Sequence, residues 1–260
     1  MRKLMLMIIP LIMWSCSMDG GSEDIGIWDG NVTGTGGSTA RFTITGDFLY
    51  VVNNSELKAF DISQEEDPTL TSNTVIDWGV ETVFGYRDKL FIGTQFGMFV
   101  YDISPDGSPV YLSEFGHVTA CDPVIANDQF AYVTIRSGVF CNEFIDEVDD
   151  LITLDVSDLR NPYQVSRIDM INPRGLTFFQ GDLYVGEGES GMKRFSLKDP
   201  SNPQIFNFYP EIAANDMIGL DSILIVTGTE GVFQFGIKPD TVVVNNDTLF
   251  YSLDLYSELQ

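Results

Sequence analysis

Short apolar runs separated by turn-forming residues cover most of the chain. The runs are rich in Val, Ile, Phe, Tyr and Thr, and Gly, Asn, Asp and Pro interrupt them. One group of runs extends from Thr82 to Tyr86, Leu90 to Gly93, Met98 to Ile103 and Val110 to Phe115. Runs of about four to eight residues with this composition are typical of β-strands, and no stretch shows a convincing helical period. The pattern therefore predicts an all-β fold.

The runs belong to a repeat with a strand core such as LYVVNN or LFIGTQ, which recurs at spacings of 41, 41, 52 and 41 residues. The cores begin at Leu49, Leu90, Ala131, Leu183 and Leu224. A second motif follows each core, as FDIS, YDIS, LDVS, FSLK and FGIK from Phe60, Tyr101, Leu154, Phe195 and Phe235. In four copies a proline stands seven residues after the second position of that motif, at Pro68, Pro109, Pro162 and Pro203. These offsets indicate that each copy folds into the same unit.

Four predicted strands in a unit of about 41 residues are typical of a β-propeller blade. One four-stranded sheet cannot cover both of its apolar faces, so blades stack in a ring. We predict five four-stranded blades, with six as the alternative. The fifth copy departs most from the repeat, with Gly236 and Lys238 in place of Asp and Ser. Its missing edge strand is expected from DIGIWDG around Trp28 or from the C-terminal TVVVNNDTLFYSLDL.

The segments GDFLYVVNNSELKAFDIS, YVTIRSG and GDLYVGEGESG resemble the repeats of the LVIVD-repeat proteins, surface proteins of bacteria and archaea. The similarity extends from about Ala40 to Lys238. It implies repeats with a Leu-Tyr-Val core followed by Asp-Val-Ser, and a surface location. It implies no particular chemistry, because propellers serve both as binding modules and as enzymes.

The N-terminus has the features of a lipoprotein signal. Arg2 and Lys3 precede an apolar run from Leu4 to Trp14, which is shorter than the roughly twenty residues that span a bilayer. The following MWSCS resembles the lipobox of bacterial lipoproteins, which implies a signal peptide over residues 1–15 and lipidation at Cys16. Residues 16–24 are then a flexible tether and residues 25–260 a single propeller domain. The alternative is an ordinary signal peptide in which Cys16 is incidental.

The tether SMDGGSEDIG also resembles the acidic export signals of surface lipoproteins in some Gram-negative bacteria. We therefore expect an outer-membrane or cell-surface location. The formal charge is −24, and loss of Arg2 and Lys3 makes it about −26. Nucleic-acid binding requires clustered cationic side chains, so this class of partner is excluded. We expect a monomer that contacts the membrane through its lipid anchor alone.

A candidate ligand site lies at the mouth of the predicted channel, because the innermost strands of a propeller line its channel. The positions nine residues before each core are Ala40, Glu81, Asp122, Arg174 and Asn215, and Asp216 follows the last. We predict a polar site, for a glycan or a protein, in which Arg174 is the cation and Glu81, Asp122 and Asp216 accept hydrogen bonds. Trp78 is either a stacking surface or packing between blades. Alternatively, these polar groups satisfy loop ends and bind water alone.

The alternative function is a glycoside hydrolase in which Glu81 and Asp122 act as a carboxylate pair. A histidine-based metal centre is excluded because His117 is the single histidine. The acidic segment NEFIDEVDDL offers oxygen ligands for calcium but lacks EF-hand spacing, which favours a solvated loop. We expect neither a cofactor nor a metal, and we expect a binding module in preference to an enzyme.

The two remaining cysteines, Cys121 and Cys141, form an even pair in an exported chain, which predicts a disulfide. Cys121 precedes the third unit, and Cys141 lies in the 11-residue surplus of that unit. A bridge closing a loop of about twenty residues stabilises a fold by roughly 3 kcal/mol. Two buried thiols are the alternative.

Overall fold

The computed structural model describes residues 33–34, 37–76, 78–116, 123–136, 149–229, 231–238 and 254–257, all within a compact unit that comprises Asn31–Gln260. These residues form five antiparallel sheets arranged as a β-propeller, and they contain no helix. None of them therefore forms a helix with the length and apolarity needed to cross a bilayer. The prediction of an all-β propeller with five blades is confirmed.

The strands follow the repeat in chain order, and each sheet is one blade. Blade 1 contains β1 (Thr33–Gly34), β2 (Phe42–Thr45), β3 (Phe48–Val52), β4 (Glu56–Asp61) and β5 (Thr69–Val75). Blade 2 contains β6 (Val80–Tyr86), β7 (Lys89–Thr94), β8 (Gly97–Ile103) and β9 (Pro109–Gly116). Blade 3 contains β10 (Val124–Ala126), β11 (Phe130–Arg136), β12 (Asp149–Asp155) and β13 (Tyr163–Asp169). Blade 4 contains β14 (Leu176–Phe179), β15 (Asp182–Gly186), β16 (Met192–Ser196) and β17 (Gln204–Tyr209), and blade 5 contains β18 (Asp216–Gly219), β19 (Ile223–Gly228), β20 (Gly231–Lys238) and β21 (Asp254–Ser257).

The edge strand of blade 5 comes from the C-terminal segment. Strand β21 pairs with β20, with Ser257 opposite Phe235. The sequence left two origins open for this strand, and the structure places the C-terminal one. Blade 1 differs from the predicted four-stranded blade. It has a fifth strand, because β1 pairs with β2 on the channel side. Trp28 lies outside the described residues.

In two copies of the repeat, the tyrosine of the strand core ties one blade to the next. The Tyr50 hydroxyl donates a hydrogen bond to the Gly107 carbonyl of blade 2 at 2.9 Å, and the Tyr132 hydroxyl donates to the Pro200 carbonyl of blade 4 at 2.8 Å. Both rings are fully buried, so a polar tip without a partner would cost free energy. The repeat therefore encodes contacts between blades as well as strands within them.

The Asp-Ile-Ser motif forms the turn that leads to the outermost strand. The Asp61 carboxylate accepts a hydrogen bond from the Ser63 backbone N–H, and the Asp155 carboxylate accepts one from the Ser157 N–H, at 2.8 and 2.9 Å. These are Asx turns, which satisfy backbone donors freed at the end of a strand. The prolines that follow stand at or next to the start of the outermost strands, where a missing N–H is tolerated.

Apolar packing joins consecutive blades. Among the described residues, one buried cluster lies between each successive pair of blades from blade 1 to blade 5. Described contacts between blades 1 and 5 include polar ones, in which Ser38 and Thr39 donate hydrogen bonds to the Asp216 carboxylate. This closure brings the turn before β2 to the channel mouth.

Candidate functional site

A polar cavity of about 400 Å³ lies at one end of the channel. It is formed where the innermost strands of the blades begin, together with residues that end second strands. Its described lining is Thr39, Arg41, Glu81, Thr82, Pro123, Arg136, Pro173, Arg174, Asn215, Asp216 and Thr227. We call this site the mouth cavity. Its volume lies within the range of roughly 300–1,000 Å³ that is usual for small-molecule sites.

The predicted site residues divide into three groups. Glu81, Arg174 and Asp216 all line the mouth cavity, although they come from blades 2, 4 and 5. The Trp78 side chain is 68% exposed and is not part of the described cavity wall. Asp122 and the three cysteines, Cys16, Cys121 and Cys141, lie outside the described residues.

Backbone and side-chain contacts from both neighbouring blades hold Arg174 in place. Its carbonyl accepts a hydrogen bond from the Thr134 hydroxyl at 2.7 Å, and its N–H donates to the Gly186 carbonyl at 2.8 Å. One terminal nitrogen of the guanidinium, Nη1, donates to Asn215 Oδ1 at 2.7 Å. The Nε atom is buried with no hydrogen-bond partner in the structure. The guanidinium is therefore positioned, and part of its donor capacity is unused.

Asp216 holds the wall of the cavity together. Its carboxylate accepts hydrogen bonds from the hydroxyls of Ser38 and Thr39 and from the Met217 backbone N–H, the last at 2.9 Å. Ser38 in turn accepts a hydrogen bond from the Leu176 N–H of blade 4 at 2.7 Å. Burial raises the pKa of Asp216 above its ordinary value, and these donors offset part of that effect. The carboxylate joins three blades at the mouth, a role that the sequence pattern did not predict.

Glu81 and Arg136 form the most polar part of the lining. Burial raises the pKa of Glu81, while the Gln95 amide and the charges of Arg41 and Arg136 act in the opposite direction. The Gln95 side chain donates to Glu81 Oε1 at 3.2 Å. Burial lowers the pKa of Arg136, the charge of Arg174 lowers it further, and Asp149 and Glu81 act to raise it. The Arg174 guanidinium thus lies close enough to disfavour the charged form of Arg136.

Arg136 is a site residue that the sequence analysis missed. We searched the starts of the innermost strands, whereas Arg136 ends the second strand of blade 3. A signal was present, because Arg136 stands five residues after the core residue Ala131, and Gln95 has the same offset from Leu90. Arg136 lines the mouth cavity, and Gln95 donates a hydrogen bond to Glu81, which also lines it. The second-strand ends are therefore a further set of site positions in this repeat.

The described residues contain no group of three or more His, Cys, Asp or Glu side chains that could hold a metal ion. The wall of the mouth cavity presents guanidinium, carboxylate, amide and hydroxyl groups. Such groups bind polar ligands by hydrogen bonds and charge, and a buried carboxyl group with a raised pKa can also donate a proton.

Comparison with known sequences supports the repeat. The model of the LVIVD repeat matches residues 36–75, which cover β2 to β5 of blade 1. No curated protein matches the chain. The repeat match covers one blade, so the chain is similar to this family within that segment.

Comparison with solved structures supports the fold. The periplasmic gluconolactonase PpgL of Pseudomonas aeruginosa is 13% identical with a TM-score of 0.56, over 82% of this chain and 70% of that chain. A functionally unknown protein from Desulfotomaculum acetoxidans is 12% identical with a TM-score of 0.52, over 81% and 66%. Hsv2p of Kluyveromyces lactis is 10% identical with a TM-score of 0.46, over 73% and 57%, so this chain spans less than two thirds of it. The first two similarities show the fold alone.

Proposed function

We propose that the protein is a lipid-anchored, surface-displayed propeller that binds a glycan in the mouth cavity. The observation that carries this proposal is the mouth cavity itself, in which all five blades contribute charged side chains to a space of about 400 Å³. Charged and hydroxyl groups line it, whereas a site for an apolar ligand is lined mainly by hydrophobic and aromatic side chains. A hydroxyl-rich ligand matches the donors and acceptors on offer.

Binding is tested with a glycan array and the soluble form that begins at Asp24. We expect a small group of glycans to bind, and we expect Glu81→Ala to weaken that binding about 10-fold or more, because it removes a charged hydrogen-bond acceptor. Glu114→Ala is the matched control, since Glu114 is exposed on the outer strand β9. Absence of any glycan binding, or equal binding by both variants, would disprove the proposed site.

Lipidation is tested separately by metabolic labelling with a palmitate analogue. The wild type is expected to carry the label and Cys16→Ala to lose it, because the acyl chains are attached at that residue. Cys121→Ala and Cys141→Ala are the controls and should keep the label. Equal labelling of Cys16→Ala and the wild type would contradict the anchor.

A glycoside hydrolase remains the second candidate, because burial raises the pKa of Glu81 as the general acid of such enzymes requires. Its proposed partner, Asp122, lies outside the described residues. The PpgL structure is named as a gluconolactonase, and at 13% identity it supports the fold of this chain alone. Release of reducing sugar from the bound glycans, abolished in Glu81→Gln, would establish the hydrolase. Binding of glycans without release of reducing sugar would instead establish a binding module.

The predicted disulfide between Cys121 and Cys141 belongs to this proposal, because it would hold the acidic segment after Arg136 beside Asp122. Intact mass after alkylation, with and without prior reduction, tests it. Two alkylated cysteines in the denatured, unreduced protein would contradict the bridge.

A further inference from the structure

The arginine side chains of the mouth cavity differ from most other basic side chains of the chain. Arg41, Arg136 and Arg174 all line the cavity, and none forms an ion pair with a residue that the structure describes. The chain has 14 Lys and Arg residues against 38 Asp and Glu, so potential partners are abundant. Three arginines at one cavity, without ion pairs to the part of the chain that the structure describes, are therefore unexpected for a protein of this charge.

The environment of Arg136 disfavours its charged form. Arg136 and Arg174 are both half-buried, and the charge of Arg174 lowers the pKa of Arg136. Placing like charges together in a partly desolvated site costs free energy unless a counter-charge occupies it. Arg174 is held in the wall by the hydrogen bond from its Nη1 to Asn215. A guanidinium binds a carboxylate with two parallel donors, so arginines in the cavity wall match a planar anionic group.

The carboxylates of the cavity are engaged with other groups of the wall. Asp216 uses its oxygens to accept hydrogen bonds from Ser38, Thr39 and the Met217 N–H. Glu81 accepts a hydrogen bond from Gln95, and its charge favours the charged form of Arg136. The hydroxyls of Thr39 and Thr227 and the amide of Asn215 stand in the same wall. The cavity thus combines cationic groups for an anion with neutral polar groups for hydroxyls.

We infer that the ligand of the mouth cavity is a sugar acid, whose carboxylate lies between Arg136 and Arg174 and whose hydroxyls meet the remaining polar wall. This inference rests on the proposed function and specifies its ligand class. A uronic acid unit of an acidic polysaccharide has both groups at the spacing of one sugar ring. The net negative charge of the rest of the chain repels such polymers, so the arginines supply attraction at this one place.

The test compares matched acidic and neutral trisaccharides by titration calorimetry of the full chain in detergent. One pair consists of galacturonic acid and galactose units, and a second of glucuronic acid and glucose units, so that stereochemistry is varied independently of charge. At least one acidic member is expected to bind about 10-fold or more tightly than its neutral partner, since hydrogen bonds between charged groups are stronger than those between neutral groups. This preference should shrink in high salt.

Substitutions test which residues cause the preference for the acidic sugar. Arg136→Gln and Arg174→Gln are each expected to remove most of the preference for the acidic sugar, and Arg174→Lys to restore part of it, since the charge returns without the paired donors. Arg160→Gln is the matched control, because Arg160 is exposed and lies outside the cavity wall. The urea midpoint of every variant is measured so that loss of folding is recognised. Loss of the preference in Arg160→Gln as well would overturn the assignment to this cavity.

The outcomes separate this inference from the proposed function. Equal binding of acidic and neutral sugars, with an effect of Glu81→Ala, would overturn the sugar acid and leave the glycan module intact. Displacement of the acidic sugar by inorganic phosphate at equal concentration would show a general anion site and would also overturn it. Absence of binding by every sugar on the broader array would instead reject the proposed function.

Discussion

Two sets of basic side chains in this protein differ in their partners. Away from the mouth cavity, most described basic side chains form ion pairs, as in Arg87–Asp128, Lys89–Asp102, Arg167–Asp150, Lys193–Glu187 and Arg194–Asp182. Around the mouth cavity, three arginines form none with the described residues. The first set makes its contacts within the fold, and under the proposed function the second set is available to a ligand. Sites retained for binding often reduce stability, because their groups await a partner from outside.

Arg194→Met is expected to have the largest effect on stability. The Arg194 side chain is 7% exposed, donates to Asp182 at 2.7 Å and lies over the Phe206 ring at 4.7 Å. Removing it leaves Asp182 without its charged partner, which costs about 3 kcal/mol. Urea unfolding measures the change. Arg160→Met, at an exposed position, should cost less than about 0.5 kcal/mol, and equal losses would remove the distinction between the two sets.

Gly175→Ala is expected to have the second-largest effect on stability, because it disturbs the wall of the mouth cavity. A Cβ at Gly175 would overlap the Asp216 carboxylate and would lie 2.7 Å from the Asp216 Cα, so the wall must shift. Such overpacking costs about 2 kcal/mol, and weaker ligand binding should accompany it. Gly46→Ala is the control, since Gly46 has φ +57° and open space around it. It should cost about 1 kcal/mol and leave ligand binding unchanged.

Arg136→Met is expected to leave stability unchanged or to raise it by up to about 1 kcal/mol. Burial and the charge of Arg174 lower the pKa of Arg136, so the folded state disfavours its charged form at neutral pH. The matched variant Arg167→Met should lose stability, because Asp150 is 3% exposed and would remain buried without its partner. Similar losses in both variants, measured by urea unfolding, would show that Arg136 is a structural residue.

Glu81→Gln is expected to change the free energy of unfolding least, by about 1 kcal/mol or less. The size of this change should depend on pH. Because its folded pKa is raised, the contribution of Glu81 to stability is greatest below its unfolded pKa and decreases as pH rises through the folded value. The stability of Glu81→Gln relative to wild type should therefore increase between about pH 4 and pH 7. Asp61→Asn should show the opposite trend, and at lower pH: because hydrogen bonds from Ser63 lower the pKa of Asp61, its stability relative to wild type should decrease as pH rises to about 4 and stay constant above that. The same pH trend in Glu81→Gln and Asp61→Asn would contradict the raised pKa of Glu81.

The strands could be predicted from the sequence because their signals are local. The four runs of blade 2 agree with β6 to β9 within two residues at each end. Turn-forming residues bound each run, and Pro109 begins β9 because an outermost strand tolerates a missing N–H. The repeat also placed Glu81, Arg174 and Asp216 around one cavity, since a constant offset within each unit becomes a common position in a ring.

The remaining site features depend on contacts between blades. Arg136 reaches the cavity from the end of a second strand, and its proximity to Arg174 follows from the stacking of blade 3 on blade 4. Asp216 was predicted as a ligand residue, and the structure shows its carboxylate joined to Ser38 and Thr39, more than 170 residues away along the chain. Ser38 and Thr39 lie outside the repeat register, so no period in the sequence marks their pairing with Asp216.

By itself the sequence determined the strand class, the number of repeats and the turns, because hydrophobic alternation, turn residues and prolines act through neighbouring residues. Only the tertiary structure decided which segment completes blade 5, where β1 pairs and which charges face each other across the mouth cavity. These features depend on distances between residues far apart in the chain. The ionisation of Glu81 and Arg136 belongs to the same class, because burial and neighbouring charges exist only once the ring has closed.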